Sequence, residues 1–373
     1  MSREDVQEKA LDLAISNKRC GLGISMGVGK TRVAIQHLIK SFNPFLNVLV
    51  VIPKLSVKDA WTDEIDKMSE NENGGTEHLH DHITYSTYLS INKHNPNDYD
   101  VVYLDECHSL LDNHEEFLGK FKGKILGLTG TPPQRRGTEK YRMVQKYCPI
   151  VYNFTVDEAT DSNILNNYKI VVHKLNLSGL STLSKVNKTT GGTWYTSEKK
   201  DYEYCTQRII DAQTPKQRQF SSIMRMKAMM EYTTKESYAL GLLKNISEKC
   251  LIFANTQKQA DRMCTHSYHS KNDDSEDNLQ LFHDGRIDKL SCVLQLSEGV
   301  TIPGLKQGII MHSYGNERKS AQRIGRLLRL NPNETAICHI LCYEGTVDEK
   351  WVDNALSGFD PNKISRYNPL TDK

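Results

Sequence analysis

A glycine-rich turn between a buried strand and a helix constrains this chain more than any other feature. Residues 21–25 read as a strand, and residues 31–41 carry apolar side chains at Val33, Ala34, Leu38 and Ile39, the spacing of a helix that buries one face. Between them runs Met26-Gly27-Val28-Gly29-Lys30-Thr31. Glycines let backbone amides approach phosphate oxygens, and the helix N-terminus adds a positive dipole. Lys30 is placed to reach the β- and γ-phosphates of a nucleotide, and Thr31 to offer its hydroxyl to magnesium. The first glycine of the full G-x-x-x-x-G-K-T pattern falls on Ile24, so the pattern is incomplete. An ordinary glycine-rich turn before a helix is the competing reading. The strand, the helix and the Lys-Thr pair together weigh against it.

The first half of the chain continues this alternation. Residues 48–52, 101–104 and 125–128 are short β-branched runs with helical patterns between them. Such alternation implies a doubly wound α/β sheet, whose ligands bind beyond the carboxyl ends of its strands. Asp105 and Glu106 follow one strand, and Thr129-Gly130-Thr131 another. Adjacent carboxylates there can divide labour. Asp105 would hold magnesium through water, while Glu106 orients and deprotonates the attacking water. Taken alone, Asp-Glu at a strand end is often a solvated turn or a helix cap. Behind a phosphate loop, the catalytic reading takes over.

A third element comes late. Gln322, Arg326 and Arg329 fall on one face of a helical run. Such a face can close over a γ-phosphate, and an arginine finger of this type contributes about 10³–10⁵ in rate. A basic surface helix is the bland alternative. Gly325, unfavourable inside a helix, suggests close backbone approach instead.

The chain has 373 residues, enough for two ordinary domains, and 38% apolar with 25% charged residues, so packed cores are expected. Net charge is +2, so any nucleic-acid track must be a local basic surface. Nine cysteines are scattered without a Cys-x-x-Cys pair, which fits small core hydrophobes in a reducing compartment. Cys338-His339 with Cys342 lies in a strand-like run with the wrong spacing for a standard zinc site. The N-terminal run is charged and helical rather than a signal peptide, and no stretch approaches a membrane span. A soluble, cytoplasmic protein with no membrane partner is expected.

Residues 149–166 read as a polar boundary, and 168–177 as a strand that opens a second α/β unit. Residues 178–200 read as a loop or hairpin and 217–243 as strongly helical. Further strands are expected at 250–254, 292–296, 308–311 and 336–341.

Taken in order, these motifs resemble helicase superfamily 2, of the DExH type. Gln7 resembles the adenine-reading glutamine upstream of the phosphate loop. Val50 to Lys54 resembles motif Ia, and Thr84 to Tyr88 motif Ib. Thr129-Gly130-Thr131 resembles motif III, Leu251 to Thr256 motif IV, and Ser297 to Pro303, with Gly299, motif V. Trp61 and the Met-Gly-Val-Gly-Lys-Thr form lean toward the Swi/Snf-like branch. The compact length and Phe282-His283-Asp284-Gly285 look like small phage helicases related to UvsW and RecG-type enzymes. Thr301, where many members carry Asp or Asn, and Cys107, where many carry Ala, depart from the pattern.

The resemblance implies two tandem RecA-like (P-loop NTPase) lobes, each a mainly parallel sheet flanked by helices. Residues 1–155 would form the first and 156–373 the second, with an insertion at about 178–245. It implies ATP and Mg²⁺ as cofactors. Met26 to Thr31, Gln7 and Gly299 would bind nucleotide, and Thr129 and Thr131 would couple the lobes. It further implies DNA, single-stranded, forked or branched, as the partner of a protein that is a monomer when free. Repair, recombination or replication is the setting, in the host cytoplasm if the chain is phage-encoded. Lys54, Ser86, Thr87, Thr256 and Ser297 would touch the phosphodiester backbone, which carries no sequence information. RNA as the polymer, a non-catalytic clamp on a degenerate ATPase fold, and a restriction-complex subunit stay open.

Outside these motifs, Lys185, Lys188, Trp194, Lys199 and Lys200 suggest a hairpin that engages nucleic acid, with Trp194 as stacker or wedge. A solvated loop with one pinned aromatic fits equally. His78, His80 and His82 read as a solvated loop without metal.

Overall fold

The computed structural model describes residues 1–71, 77–186, 190–293, 302–313, 323 and 333–371. Within these the chain divides into two compact units, the first holding Met1–Asn167 and the second opening at Tyr168.

The first unit is built on six strands: β1 (Arg19–Ile24), β2 (Val48–Ile52), β3 (Ile83–Thr87), β4 (Val101–Asp105), β5 (Lys124–Thr129) and β6 (Ile150–Phe154). They lie in the order β3-β2-β4-β5-β1-β6, with every neighbouring pair parallel. Parallel strands need crossovers. Those here carry α2 (Lys30–Ser41), α3 (Lys58–Asn71), α4 (Glu115–Leu118) and α5 (Glu139–Tyr147), while β3 and β4 are joined through 3-10 turns; α1 (Arg3–Ser16) precedes β1 and α6 (Val156–Asp161) follows β6. The four apolar runs of the sequence are the four central strands, buried on both faces; all five residues of β2 are buried. The edge strands are more open: β3 buries Ile83 and Ser86 and β6 buries Phe154, with their other positions partly or fully exposed. The stretch 149–166, expected as a polar boundary, therefore contains a strand paired to β1.

The second sheet runs β11-β12-β10-β13-β14-β7-β15. Its strands are β7 (Asn167–Leu175), β10 (Cys250–Phe253), β11 (Ser267–Tyr268), β12 (Lys289–Cys292), β13 (Gln307–Ile310), β14 (Thr335–Tyr343) and β15 (Ile364–Tyr367). Around it lie α7 (Glu198–Ile210), α8 (Pro215–Glu231), α9 (Thr234–Asn245), α10 (Gln257–Met263), α11 (Ser275–His283) and α12 (Val347–Leu356). Residues 178–200 hold an antiparallel hairpin of β8 (Leu183–Val186) and β9 (Thr193–Thr196). Lys199 and Lys200, expected on that hairpin, instead lie in the first turn of α7, which Ser197 caps. The helical run expected at 217–243 is two helices. Tyr232 breaks it in an extended conformation and is buried, with its hydroxyl donating to Asp201 at 3.0 Å.

The nine cysteines are free, and seven of them are buried. Among the described residues no cluster of His, Cys, Asp and Glu could hold a metal ion. No described helix is long and apolar enough to cross a membrane.

Candidate nucleotide site

The turn between β1 and α2 has the backbone that its glycines permit. Gly27 and Gly29 adopt φ of 87° and 106°, a region costly for residues with a Cβ. At Gly29 a Cβ would lie 2.5 Å from Gln7 Nε2, so the Gln7 amide would have to shift to admit one. Gly29 is the N-cap of α2 and supplies no side-chain cap of its own. Gln7, on the buried face of α1, donates to the Val28 carbonyl at 2.7 Å. Arg3, one turn earlier, donates Nε to the same carbonyl at 3.0 Å. The sequence singled out Gln7 and missed Arg3, although their four-residue spacing puts both on one helix face.

Beyond the turn stand the paired carboxylates. Lys30 Nζ lies 2.7 Å from Glu106 Oε1, and His108 Nδ1 lies 3.2 Å from Glu106 Oε2. The same His108 nitrogen is 2.8 Å from Thr129 Oγ1, which also accepts from the Thr131 amide at 3.1 Å. A proton on Nδ1 thus sits between two acceptors, linking Glu106 to the Thr-Gly-Thr segment. That segment abuts the turn: a Cβ on Gly130 would come 3.2 Å from Met26 Cγ. Glu106 itself adopts φ 53°, unusual for a residue with a side chain, and such conformations concentrate at functional sites.

Asp105 is 5% exposed and is held from two sides. The Trp61 indole donates to Oδ2 at 3.0 Å, and the Tyr88 hydroxyl donates to its main-chain carbonyl at 2.7 Å. The two neighbouring carboxyls are pulled apart electrostatically. Burial raises Asp105, with Lys30 acting against it. Burial would raise Glu106 too, but the charge of Lys30 and the contact with His108 outweigh it and hold Glu106 well below the ordinary carboxylate range. Two hydroxyls here, Ser25 Oγ and Thr131 Oγ1, are buried without a hydrogen-bond partner. With a lysine, a buried carboxylate, the half-buried Thr31 and the N-terminus of α2, the donor set suits a magnesium-bound phosphate chain.

The remaining predicted positions are dispersed. Lys54 is exposed after β2, and Thr87 is half-buried at the end of β3. Thr256 is exposed and caps α10, accepting from the Gln259 amide at 3.1 Å. Ser86 is 4% exposed with Oγ 2.9 Å from His94 Nε2, so its hydroxyl is engaged within the protein. The histidine segment is a 3-10 turn, Glu77–His82, rather than a solvated loop. His80 meets Asp66 at 2.9 Å, and His82 meets the Leu46 carbonyl at 3.0 Å. Ser297, Gly299, Gln322, Arg326 and Arg329 lie outside the described residues, as do Lys188, Thr301 and Gly325.

Residues 1–134 match the family described as type III restriction enzyme, res subunit, and residues 232–331 match the helicase conserved C-terminal domain. The chain is 24% identical over 386 aligned positions to DNA 3'-5' translocase XPB2 of Sulfurisphaera tokodaii, covering 92% of this chain and 82% of the relative. In fold it resembles the ATP-dependent type ISP restriction-modification enzyme LlaBIII bound to DNA, with a TM-score of 0.64 and 15% identity. That match takes in 98% of this chain but 31% of LlaBIII. It also resembles S. cerevisiae Dbp5 bound to RNA and ADP BeF3, with a TM-score of 0.58, 13% identity and coverage of 98% and 89%.

Proposed function

The chain belongs to helicase superfamily 2, and from that premise we propose that it is an ATP-driven translocase or helicase on DNA. The observation that carries this reading is the buried contact of Lys30 with Glu106, beside a turn built for phosphate. In it, the amides of Gly27, Val28 and Gly29 and the Lys30 ammonium cradle the phosphates of ATP, and Gln7 reads adenine. Thr31 and Asp105 would hold magnesium, which when bound would offset charge on the phosphate oxygens. Glu106 takes the proton of the attacking water. Lys30 governs when it can do so. As the ammonium turns toward the phosphates, the largest influence that lowers Glu106 weakens, and its basicity rises relative to the paired state while His108 stays in contact.

His108 with Thr129 and Thr131 relays the state of Glu106 to the segment that follows β5. Gln322, Arg326 and Arg329 belong to the second lobe in this scheme and complete the transition state, with Gly299 on the nucleotide. The lobes are taken as about 1–155 and 156–373, with an insertion at about 178–245. Lys54, Thr87, Thr256 and Ser297 contact the DNA backbone; Ser86, held by His94, is not among them. XPB2 is named as a DNA translocase, which favours DNA over RNA and translocation as the basic act. Repair or recombination on forked or branched DNA is the setting that suits it.

An ATPase screen with single-stranded, duplex, forked and four-way DNA, and with RNA, tests the reading. Turnover should rise most with DNA. Stimulation by RNA alone would redirect the polymer assignment, and no turnover on any polymer would overturn the motor.

A further inference from the structure

The second unit carries a feature that the nucleotide chemistry does not use. The β8–β9 hairpin, α7 and α8 enclose a groove of about 270 Å³. Each element contributes one stripe. Asp201, Tyr204, Cys205 and Arg208 on α7 stand at i, i+3, i+4 and i+7, and Ser221, Met224, Ala228 and Glu231 on α8 at i, i+3, i+7 and i+10, so each set follows one helix face. Lys185 and Trp194 are directly paired across the hairpin, so they share one of its faces. Lys185 reaches Asp201 at 3.0 Å, which fastens the hairpin to α7 and takes up that carboxylate.

Apolar surface is left uncovered here. Trp194 is 50% exposed and Tyr204 62%, and Phe220 and Ile210 are exposed nearby along the helices. Cations interleave with the rings: Arg208 lies over the Tyr204 ring at 6.0 Å, and Lys227 lines the groove. Residues 178–231 hold nine Lys or Arg against five Asp or Glu, +4, whereas the whole chain is +2. The remainder of the chain is therefore net acidic, at −2, and this segment is net basic.

Exposed aromatic faces with interleaved cations match the chemistry of an unpaired nucleic-acid strand, whose bases stack and whose phosphates take the charges. A duplex presents no free base faces. The groove is just below the ~300–1,000 Å³ of ligand clefts, which suits one flat group better than a folded segment. We infer that this groove is a second nucleic-acid site, on the insertion, that holds a single-stranded segment by stacking a base on Trp194 and Tyr204 with Arg208 and Lys227 on the flanking phosphates. It adds to the motor reading without depending on ATP turnover.

The test uses the full chain without nucleotide. Trp194 emission, taken as the difference between wild type and Trp194→Phe, is followed on titration with oligothymidylate, an abasic strand of equal length, and duplex. Oligothymidylate should quench it, and the other two should not. Binding of labelled oligothymidylate should weaken about tenfold in Trp194→Ala, within the range set by loss of one base stack, while Trp194→Phe retains most of the affinity. Arg208→Gln and Lys227→Gln should each flatten the salt dependence by about 0.7 in log K against log salt. Equal quenching by the abasic strand, or wild-type affinity in Trp194→Ala, overturns the site. So does a dimer in sedimentation that Trp194→Ala dissolves, which would make the groove a contact between copies. Failure of the motor reading appears separately, as absent ATPase with quenching intact.

Discussion

Lys30 Nζ lies 2.7 Å from Glu106 Oε1, so the cation of the phosphate turn neutralises the second carboxylate of the Asp-Glu pair. Both side chains are largely buried, at 13% and 15% exposure, which keeps the attraction from being screened away. Lys30→Ala should abolish ATP turnover, because the phosphates lose their cation. It should also cost about 1–3 kcal/mol of stability by stranding Glu106. The pH dependence separates these effects. Glu106 is held below its ordinary 4.5, so its pairing stabilises wild type above that pH and is lost as pH falls through the lower folded value. In Lys30→Ala the largest influence lowering that carboxyl is gone, so burial weighs more and the contribution shrinks. Thermal melts from pH 3 to 8 should therefore show a smaller gain with rising pH in the variant; parallel curves would contradict the pairing.

Glu106→Gln keeps the side-chain shape and the φ of 53° while removing the base. Turnover should fall about 10²–10⁴-fold with nucleotide affinity retained. Nucleotide binding and hydrolysis measured on the same preparation check this, and joint loss of both would contradict a role confined to the water. Glu106→Gly should be equally inactive. It also relieves a backbone conformation that costs about 1–3 kcal/mol elsewhere, so its melting temperature should not drop below that of Glu106→Gln.

Trp61→Phe removes the one indole N–H that reaches Asp105 while keeping an aromatic ring at a fully buried position. That hydrogen bond lowers Asp105 against the rise caused by burial. Without it the carboxyl holds its proton to higher pH, and a protonated carboxyl is a poor magnesium ligand. The half-saturating magnesium concentration should rise, and the acid limb of the ATPase profile should move to higher pH. An unchanged magnesium titration would reduce Trp61 to a packing residue.

The central strands of the first unit were legible because parallel strands buried on both faces must be apolar throughout, as Val48–Ile52 is. The edges were not. Ile83–Thr87 and Ile150–Phe154 are each partly open to solvent, so their composition resembles that of loops. At the site, Lys30, Asp105 and Glu106 could be named because their chemistry is tied to fixed spacing around a strand and a turn. Trp61, Tyr88 and Arg3 act through tertiary contacts with residues 17 to 44 positions away, and no local pattern announces such a partner. His108 stood in the open beside Glu106, yet its tie to Thr129 appears once β4 and β5 lie side by side. The break at Tyr232 was hidden by good helix formers on both sides. The tyrosine leaves the helical path at a fully buried position where its hydroxyl meets Asp201, thirty-one residues earlier.

The second unit contains a fully buried charge pair. Lys235 and Asp348 are both 0% exposed, with Nζ 2.5 Å from Oδ2. The lysine also donates to the Met311 carbonyl at 2.9 Å, meets His312 Nδ1 at 3.0 Å, and lies over the Tyr343 ring at 4.9 Å. Asp348 accepts from the Tyr343 amide at 2.9 Å. Helix α9, the end of β13 and the start of α12 are thus tied at one point. The His312 carbonyl in turn accepts from Arg323 at 2.9 Å. Lys235→Met leaves a buried carboxylate without its cation and should cost about 3–5 kcal/mol. Adding Asp348→Asn removes that stranded charge and keeps an acceptor for the Tyr343 amide. The double variant should therefore be more stable than Lys235→Met alone. It should remain below wild type, because Met311 and His312 have still lost a donor. Denaturant melts of the four proteins form a double-mutant cycle. Additive costs would mean that Lys235 and Asp348 do not act as a pair, and that the second unit is held at this point by packing alone.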